Sequence, residues 1–422
     1  MSTAPFAHAH GPGWHTPVPE DHPAAPLLSA EAVRSHCAQV MASVEQGGSQ
    51  YFTWHPEQLE PTAAYVVETI RQRYPDLNVP YHSRWRHFEA GGVDRWADLA
   101  HRAHLDADAH ERARIRIDLV IPSVLLDAGA GPDWRYIDEA RGITLARSEG
   151  LGVASFNLFE SGAFSAHGDE RPLSSDASAL AHVTPELIAE GFQAGADNPL
   201  VGLEGRASLL RRLGEVMHAS PAVFGRPARL GHLLDFLLLH AHGGRIEASF
   251  VLATLLRALG PVWPGRIAME GVSLGDCWWH PATSDGLVPF HKLTQWLTYS
   301  LLEPLEDAGL VVTGLDALTG LPEYRNGGLL LDLGLLAPRD AAFTTGSLRV
   351  DNVAVVEWRA VTVIALDRIA AAVRQQLKKS DAEFPLARVL EGGTWAAGRR
   401  IAAERRPGGP PPVQIESDGT VF

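Results

Sequence analysis

Only two cysteines, Cys37 and Cys277, occur among 422 residues, far apart and outside any C-x-x-C spacing. That excludes a disulfide scaffold and a zinc ribbon, and it points to a reducing compartment with two inert thiols. Positive charge is also scarce: 36 Lys and Arg face 50 Asp and Glu, a formal net charge of -14. Such a surface repels polyanions, so nucleic acid and anionic membrane are disfavoured as partners and the expected ligand is small. No run approaches the roughly 20 apolar residues that cross a bilayer, and no cationic segment leads into an apolar one near the start. The expectation is a cytoplasmic protein. Three catalytic signatures are missing as well. Without H-E-x-x-H, a P-loop or G-x-S-x-G, the metalloprotease, NTPase and α/β-hydrolase readings lack their minimum parts. Neither a metal nor a cofactor is expected.

What is present, 45% hydrophobic and 20% charged residues, belongs to a globular protein with a sizeable core. Residues 1–26, rich in His, Pro, Ala and Gly, read as a loose arm. Residues 27–404 read as a single catalytic domain, with a change of character near 183, and 405–422 as a Pro/Gly linker followed by a tail that docks back. Helical spacing begins after Ser29, resumes at Pro61-Thr62 until Pro75, and returns over 247–259, 289–303 and 353–377. The last is apolar nearly all round, as a central helix must be. Asp197-Asn198-Pro199 places a capping side chain before a proline and predicts a helix start. Residues 115–131 and 142–156 are β-branched and punctuated by glycine, which predicts an extended stretch. The expected fold is therefore mainly α and compact, with a small extended or β layer near residues 115–160. No internal repeat is visible.

Chemistry-bearing residues fall in a few short motifs. "YHSRWRHFEAGGVDR" (81–95) packs His82, Arg84 and Arg86 at period two. In an extended segment they share one face and grip a phosphate or carboxylate; otherwise they form a salt-bridged surface. "VLLDAGAGPDW" (124–134) runs an apolar stretch into a glycine turn, with Asp127 facing a ligand. With Glu149 further on to hold a ribose, it also imitates the nucleotide-binding turn of S-adenosylmethionine-dependent methyltransferases. That reading needs strands alternating with helices, whereas the chain turns largely helical. In "GDCWWH" (275–280), Asp276 sits beside two indoles, a setting that raises a carboxyl pKa or frames a flat substrate. "VPFHKLTQWLTYSLLEPL" (288–305) reads as a helix with an apolar stripe through Phe290, Leu293, Leu297 and Leu301. Lys292, Gln295 or Trp296, Tyr299 and Glu303 form a second stripe. "DALTGLPEYRNGGLLLDLGLL" (316–336) exposes Glu323, Tyr324, Arg325 and Asn326 at a turn, with Glu323 the first acid to test. In "VEWRAVTVIALDRIA" (356–370), Glu357 and Arg359 point to different sides of an apolar helix, so each needs its own buried partner or a ligand.

Together with "RSEGLGVAS", "WPGR", "LEGGTWAAGR" and the terminal "SDGTVF", these motifs resemble the uracil catabolism protein 4 family from about residue 29 onward. That resemblance implies a place in a route where uracil becomes its nucleotide, the ring opens and a ribosyl-urea species forms. A second set of stretches is similar to the queuosine salvage N-glycosidases, helical proteins related in fold to DNA glycosylases. "TPELIAEGF…NPLVGLEGRASLLRRLG" carries Arg206 at the matching arginine, and "FHKLTQWL" carries Lys292 and Gln295, with His291 beside them. "LTGLPEYRNGGLL" puts Glu323 on a substrate-contacting acid next to Tyr324 and Arg325, and "VEWRAVTV" carries Glu357 and Arg359. Glu323 is one methylene longer than the acid it matches, and Asn-Gly-Gly follows where those enzymes have Val-Pro-Gln, so the base pocket must differ.

Cleaving an N-riboside builds positive charge on the sugar, which calls for a carboxylate beneath it, an activated water and donors for the leaving group. The expectation is that Glu323, with Asp276 or Asp127, is catalytic. Arg84, Arg86 and Lys292 would hold a 5′-phosphate, and His82, Arg206, His291, Gln295, Tyr324, Arg325, Glu357 and Arg359 would complete the substrate site. The products would be urea and a ribose phosphate. Alternatives are an amidohydrolase acting on the urea carbonyl, a non-catalytic scaffold for pathway enzymes, and a methyltransferase. The residues leave the oligomeric state open.

Overall fold

The structure is a computed structural model that describes residues 18–263 and 266–416. The His-rich stretch 1–17, two residues of the W-P-G-R motif and the terminal S-D-G-T-V-F lie outside the described residues. The chain is mainly α. Helix α1 (Ala30–Glu45) starts where the Ser29 hydroxyl accepts from the Ala32 N–H at 3.1 Å, as the sequence predicts. It is followed by α2 (Leu59–Arg73), the single turn α3 (Trp85–Phe88), α4 (Ala109–Leu125) and α5 (Arg147–Glu160). Then come α6 (Leu203–Ala219), α7 (Ala248–Leu259) and α8 (Lys292–Asp307), and finally α9 (Tyr324–Asp332), α10 (Val353–Leu377) and α11 (Trp395–Arg405).

Helix α10 has the bounds that its apolar run predicts, and its composition is explained by neighbours on both sides, α1 and α2. Helix α8 lies along α4, and α9 along α11. These two pairs carry the polar residues discussed below. One apolar core includes residues from Val18 to Val413, drawn from both sides of residue 183. A smaller cluster joins Val33, Cys37 and Val40 of α1 to Trp278, Phe290 and Val356. Among the described residues, no helix is long and apolar enough to cross a membrane.

Strands occur only as short pairs. The hairpin β1 (Tyr136–Asp138) and β2 (Ile143–Leu145), with Tyr136 opposite Leu145, is the extended layer expected near 115–160. The segments flanking it are not extended. They are α4 and α5, because the apolar residues of α4 are buried on all sides and lose the helical period, leaving only their β-branching visible in sequence. The Asp108 carboxylate starts α4 by accepting from the His110 and Glu111 N–H groups at 2.9 and 3.0 Å. In α5 the glycines serve close packing rather than a turn. A Cβ on Gly150 would lie 2.9 Å from the Trp134 ring, and one on Gly152 would lie 2.8 Å from His87 Cβ.

Two further expectations are corrected. Helix α6 begins at Leu203 behind Gly202 (φ 76°), not at Pro199. Asn198 instead spans a loop, its Oδ1 accepting from Arg135 N and its Nδ2 donating to Arg135 O, each at 2.8 Å. Residues 81–95 are not a strand, since α3 interrupts them. The pair β3 (Cys277–Trp279) and β4 (Leu287–Pro289) leads directly into α8. The pair β5 (Ser347–Leu348) and β6 (Gln414–Ile415) runs in parallel.

Candidate functional site

The turn that follows α4 presents Asp127, and a buried guanidinium shapes that turn. Arg206 of α6, fully buried, donates to the carbonyls of Leu126, Ala128 (3.0 Å), Gly129 (3.1 Å) and Val201 (3.2 Å). Its donors are spent on backbone, so it holds the D-A-G-A turn rather than reaching a substrate. Asp127 pairs with Arg84 at 2.7 Å, the arginine having no exposed side-chain surface and the acid 10%. Arg84 is fixed in turn by Ser123 (Nε to Oγ, 2.7 Å) and by His87, whose Nδ1 lies 3.0 Å from Nη1. Burial opposes charge on both members of the pair. It raises the Asp127 carboxyl pKa, with Arg84 pulling the other way, and it lowers that of Arg84.

A second set of groups gathers at the start of α8. His291 takes a left-handed conformation (φ 48°) and donates from Nε2 to Leu27 O at 2.8 Å, which sets the chain up to enter the helix at Lys292. The carboxylate of Asp276 accepts from Arg359 through both guanidinium nitrogens (2.9 and 2.8 Å), from Trp278 Nε1 (2.6 Å) and from the Lys292 N–H (3.1 Å). Burial pushes the Asp276 pKa up, but these donors outweigh it and hold it at about 2. The expectation that two indoles would raise it is therefore corrected, because one of them donates to it. Asp276 is a saturated anion that anchors Arg359 and the first turn of α8.

Removing one partner of such a pair strands the other charge. Asp276→Asn should lower unfolding stability by about 3–5 kcal/mol at neutral pH, measured by denaturant melts. The sign with pH follows from the depressed pKa. The pair's contribution is present above the ordinary carboxylate range, ~4, and is lost as pH falls toward about 2. The variant's deficit should therefore shrink on acidification, and an unchanged deficit at low pH would contradict the pairing.

Glu323 caps α9, its two oxygens accepting from Arg325 N (2.7 Å) and Asn326 N (2.5 Å). Beside it Tyr324 stacks on Trp358 with 5.8 Å between ring centres, and burial pushes its phenol up to about 12. Lys292 ties these groups together. Burial lowers the pKa of its ammonium, while Glu323, Asp127 and Asp276 act to raise it and Arg359 to lower it. Acids from three separate motifs thus lie within electrostatic reach of one amine. Lys292 sits deep in the protein yet keeps accessible surface, as a side chain lining a cavity does. One such pocket is bounded by Asp276, His291, Lys292, Trp263, Trp278 and Leu256.

One turn along α8, the Trp296 ring lies 5.8 Å from Lys292 Nζ and 5.7 Å from the Arg84 guanidinium. Trp395, at the start of α11, lies 4.9 Å from the guanidinium of Arg399, which pairs closely with Glu149. His82 and His87 contact both indoles, and His82 Nδ1 lies 2.8 Å from Glu391 Oε2 within the π-helical turn Val389–Thr394. Arg325 donates to Gly409 O at 2.7 Å. Burial lowers its pKa, Glu323 and Glu149 oppose that, and the nearby cations Arg147 and Arg399 add to it. The docked tail therefore covers one edge of a cationic patch.

Several expected residues do not join this region through their side chains. Arg86 pairs with Glu303 (2.8 Å) and Glu89 (3.0 Å) instead of sharing a face with Arg84, because α3 turns it away. Gln295 spends its amide on Phe290 O (3.1 Å) and Thr319 (2.6 and 2.9 Å), stitching α8 to the loop before α9. Glu357 bonds Ser49 and faces His280 at 3.3 Å, away from Arg359 two residues on, as the helical spacing requires. Sequence reasoning did not single out Trp395, Arg399, Glu391 or Arg147. The motif L-E-G-G-T-W-A-A-G-R contains three of them and was the available signal. Among the described residues, no group of three or more His, Cys, Asp or Glu is placed to hold a metal ion.

Comparison with known proteins agrees with the motif resemblance. The family described as "Protein of unknown function (DUF1688)" matches residues 26–422. Protein urg3 of Schizosaccharomyces pombe is 41% identical over 407 residues, covering 94% of this chain and 98% of that protein. Uracil catabolism protein 4 of Lachancea kluyveri is 36% identical over 440 residues, covering 95% of this chain and 99% of that protein. With a family match over nearly the whole length and two relatives of the same extent, this chain belongs to the DUF1688 family.

Proposed function

We propose that this protein acts in uracil catabolism and hydrolyses the N-ribosidic bond of a ribosyl-urea nucleotide, giving urea and a ribose phosphate, or of a ring-opened uridine nucleotide, giving the open-chain ureide and a ribose phosphate. The observation that carries the reading is that Asp127 and Glu323, from separate motifs, both lie within electrostatic reach of Lys292, deep in the protein and beside the Trp296 ring. As the bond from C1′ to nitrogen breaks, its electron pair leaves with the urea nitrogen, and C1′ gains positive charge. Glu323 supplies the opposing negative charge. Asp127, whose pKa burial raises, takes a proton from the attacking water, whose oxygen then bonds to C1′. Lys292 donates toward the leaving side. A 5′-phosphate fits the cationic edge of Arg325 and Arg147, with Arg399 shared with Glu149, better than Arg84 or Arg86, which are buried against Asp127 or held between Glu303 and Glu89. The name of one relative, uracil catabolism protein 4, supports the pathway, and the resemblance to queuosine salvage N-glycosidases supports the bond.

Product analysis tests the reaction. Incubation with N-ribosylurea 5′-phosphate should release urea and ribose 5-phosphate in equal amounts, with no ammonia. Release of ammonia would instead place the attack at the urea carbonyl and make the protein an amidohydrolase. No turnover of any ribosyl substrate would leave the scaffold reading.

A further inference from the structure

Two histidines beside the proposed sugar site have their tautomers dictated by their neighbours. The Arg84 guanidinium can only donate, so His87 Nδ1, 3.0 Å away, accepts, and the ring proton sits on Nε2. The Glu391 carboxylate accepts, so His82 Nδ1 donates to it at 2.8 Å, which leaves Nε2 as the acceptor of that tautomer. Neither Nε2 meets a hydrogen-bond partner among the described residues, although each histidine is only 6–7% exposed. One imidazole therefore presents an acceptor and the other a donor. Burial, reinforced by Arg84, holds His87 well below the ordinary imidazole range, which keeps that assignment fixed near neutrality.

These two rings bridge two indoles. His82 lies 6.4 Å from Trp296 and 5.7 Å from Trp395; His87 lies 5.7 and 6.3 Å from the same pair. Trp296 Nε1 and Arg84 Nη2 are buried polar atoms without a hydrogen-bond partner among the described residues, and each belongs to a side chain at the edge of this group. Burying donors unsatisfied costs free energy, so this edge of the group is polar rather than apolar.

We propose that His82, His87, Trp296 and Trp395 form a docking site for a planar, uncharged ureide or amide, the group that leaves when the N-ribosidic bond breaks. Such a group can present N–H to His82 Nε2 and C=O to His87 Nε2–H beside the two indole rings, which are tilted 39–57° to the imidazoles. An anion would meet the lone pair of His82 unfavourably. A cation would be repelled by Arg84 and Lys292 beside Trp296 and by Arg399 beside Trp395. Assigning the ureide as leaving group rests on the proposed hydrolysis; the recognition of a ureide does not need it.

The test uses the full chain with 15N-labelled histidine and N-methylurea as the probe. Before addition, His82 should read as the Nδ1–H form and His87 as the Nε2–H form. N-Methylurea should shift both imidazoles, and tetramethylurea, which has no N–H, should shift neither. His87→Asn keeps an acceptor for Arg84 but loses the distal donor, and should raise the half-saturation concentration at least tenfold. His87→Gln places an amide nitrogen near the Nε2 position and should recover most of the binding. Reversed tautomers, equal responses to the two ureas, or wild-type binding by His87→Asn would overturn the proposal. The tautomer and probe comparisons are read on the wild type and stand even if a variant fails to fold. Ureide binding without turnover would sink the hydrolase reading alone, and turnover without ureide binding would sink this one alone.

Discussion

Glu323→Gln should lower kcat on N-ribosylurea 5′-phosphate by about 10³-fold, with KM changing only a few-fold. The carboxylate is fixed before substrate arrives: two backbone N–H groups hold its oxygens at the positive end of α9, and Lys292 lies within its field. A charge so placed interacts little with a neutral furanose and strongly with one becoming cationic, so its loss falls on the transition state. The amide keeps the shape and one accepting oxygen, so the cap weakens by only about 1 kcal/mol and the protein stays folded. Steady-state urea release together with thermal melts checks both halves. Turnover like the wild type in a folded variant would remove Glu323 from the chemistry, and unfolding would make it a helix cap alone.

The reasons some features were legible in sequence and others were not can be traced to particular residues. Helices α1, α7 and α10 carry their own signals: a serine cap, a one-sided apolar face, or an apolar run long enough to need neighbours on both sides. Helices α4 and α5 do not. Full burial erased the period in α4, and the glycines that let α5 approach Trp134 and His87 look in sequence like turn residues. The candidate acids were legible for a different reason: Asp127 and Asp276 each stand out as a charge in an apolar setting, and Glu323 stands in a polar turn between apolar runs. Which of them is available for chemistry was not legible. The partners that decide it, Arg359 for Asp276 and Arg84 for Asp127, lie 83 and 43 residues away in the chain, a difference read directly from their numbers. His82 illustrates the limit. Its tautomer depends on Glu391, 309 residues along, in a π-helical turn that no short-range pattern announces.

The arginine cluster of the 81–95 motif shows how local geometry redirects function. Period two would have aimed Arg84 and Arg86 at one anion. A single helical turn instead buries Arg84 against Asp127 and sends Arg86 to Glu303, so the same two residue types end in different jobs. Arg325, Arg399 and Arg147 come together from three helices and, with Arg399 also paired to Glu149, form the proposed anion-facing edge beside the tail. A phosphate there would stand off the sugar site rather than inside it, as a substrate held by its distal end requires.

Asp127→Asn should be as damaging to turnover as the change at Glu323, about 10³-fold, but through a different pH signature. As the base, Asp127 must be ionised to take a proton from water, and burial raises its pKa above the ordinary carboxylate range. In the wild type, kcat should therefore climb with pH through an acid limb lying above ~4, and Asp127→Asn should abolish that limb along with the rate. Stability supplies a second readout of opposite sense to the one at Asp276. A carboxyl whose folded pKa is raised contributes most below its unfolded pKa, ~4, and that contribution is lost as pH rises through the folded value. Asp127→Asn removes a group that grows costly with rising pH, so its melting temperature should fall less steeply between the acidic and neutral range than that of the wild type. Asn still offers an oxygen to Arg84, which also keeps Ser123 and His87, but the buried guanidinium loses its counter-charge, so the variant should also be less stable than the wild type at neutral pH while the turn persists. An acid limb that survives in Asp127→Asn would assign the base to another group, with Glu323 next in line.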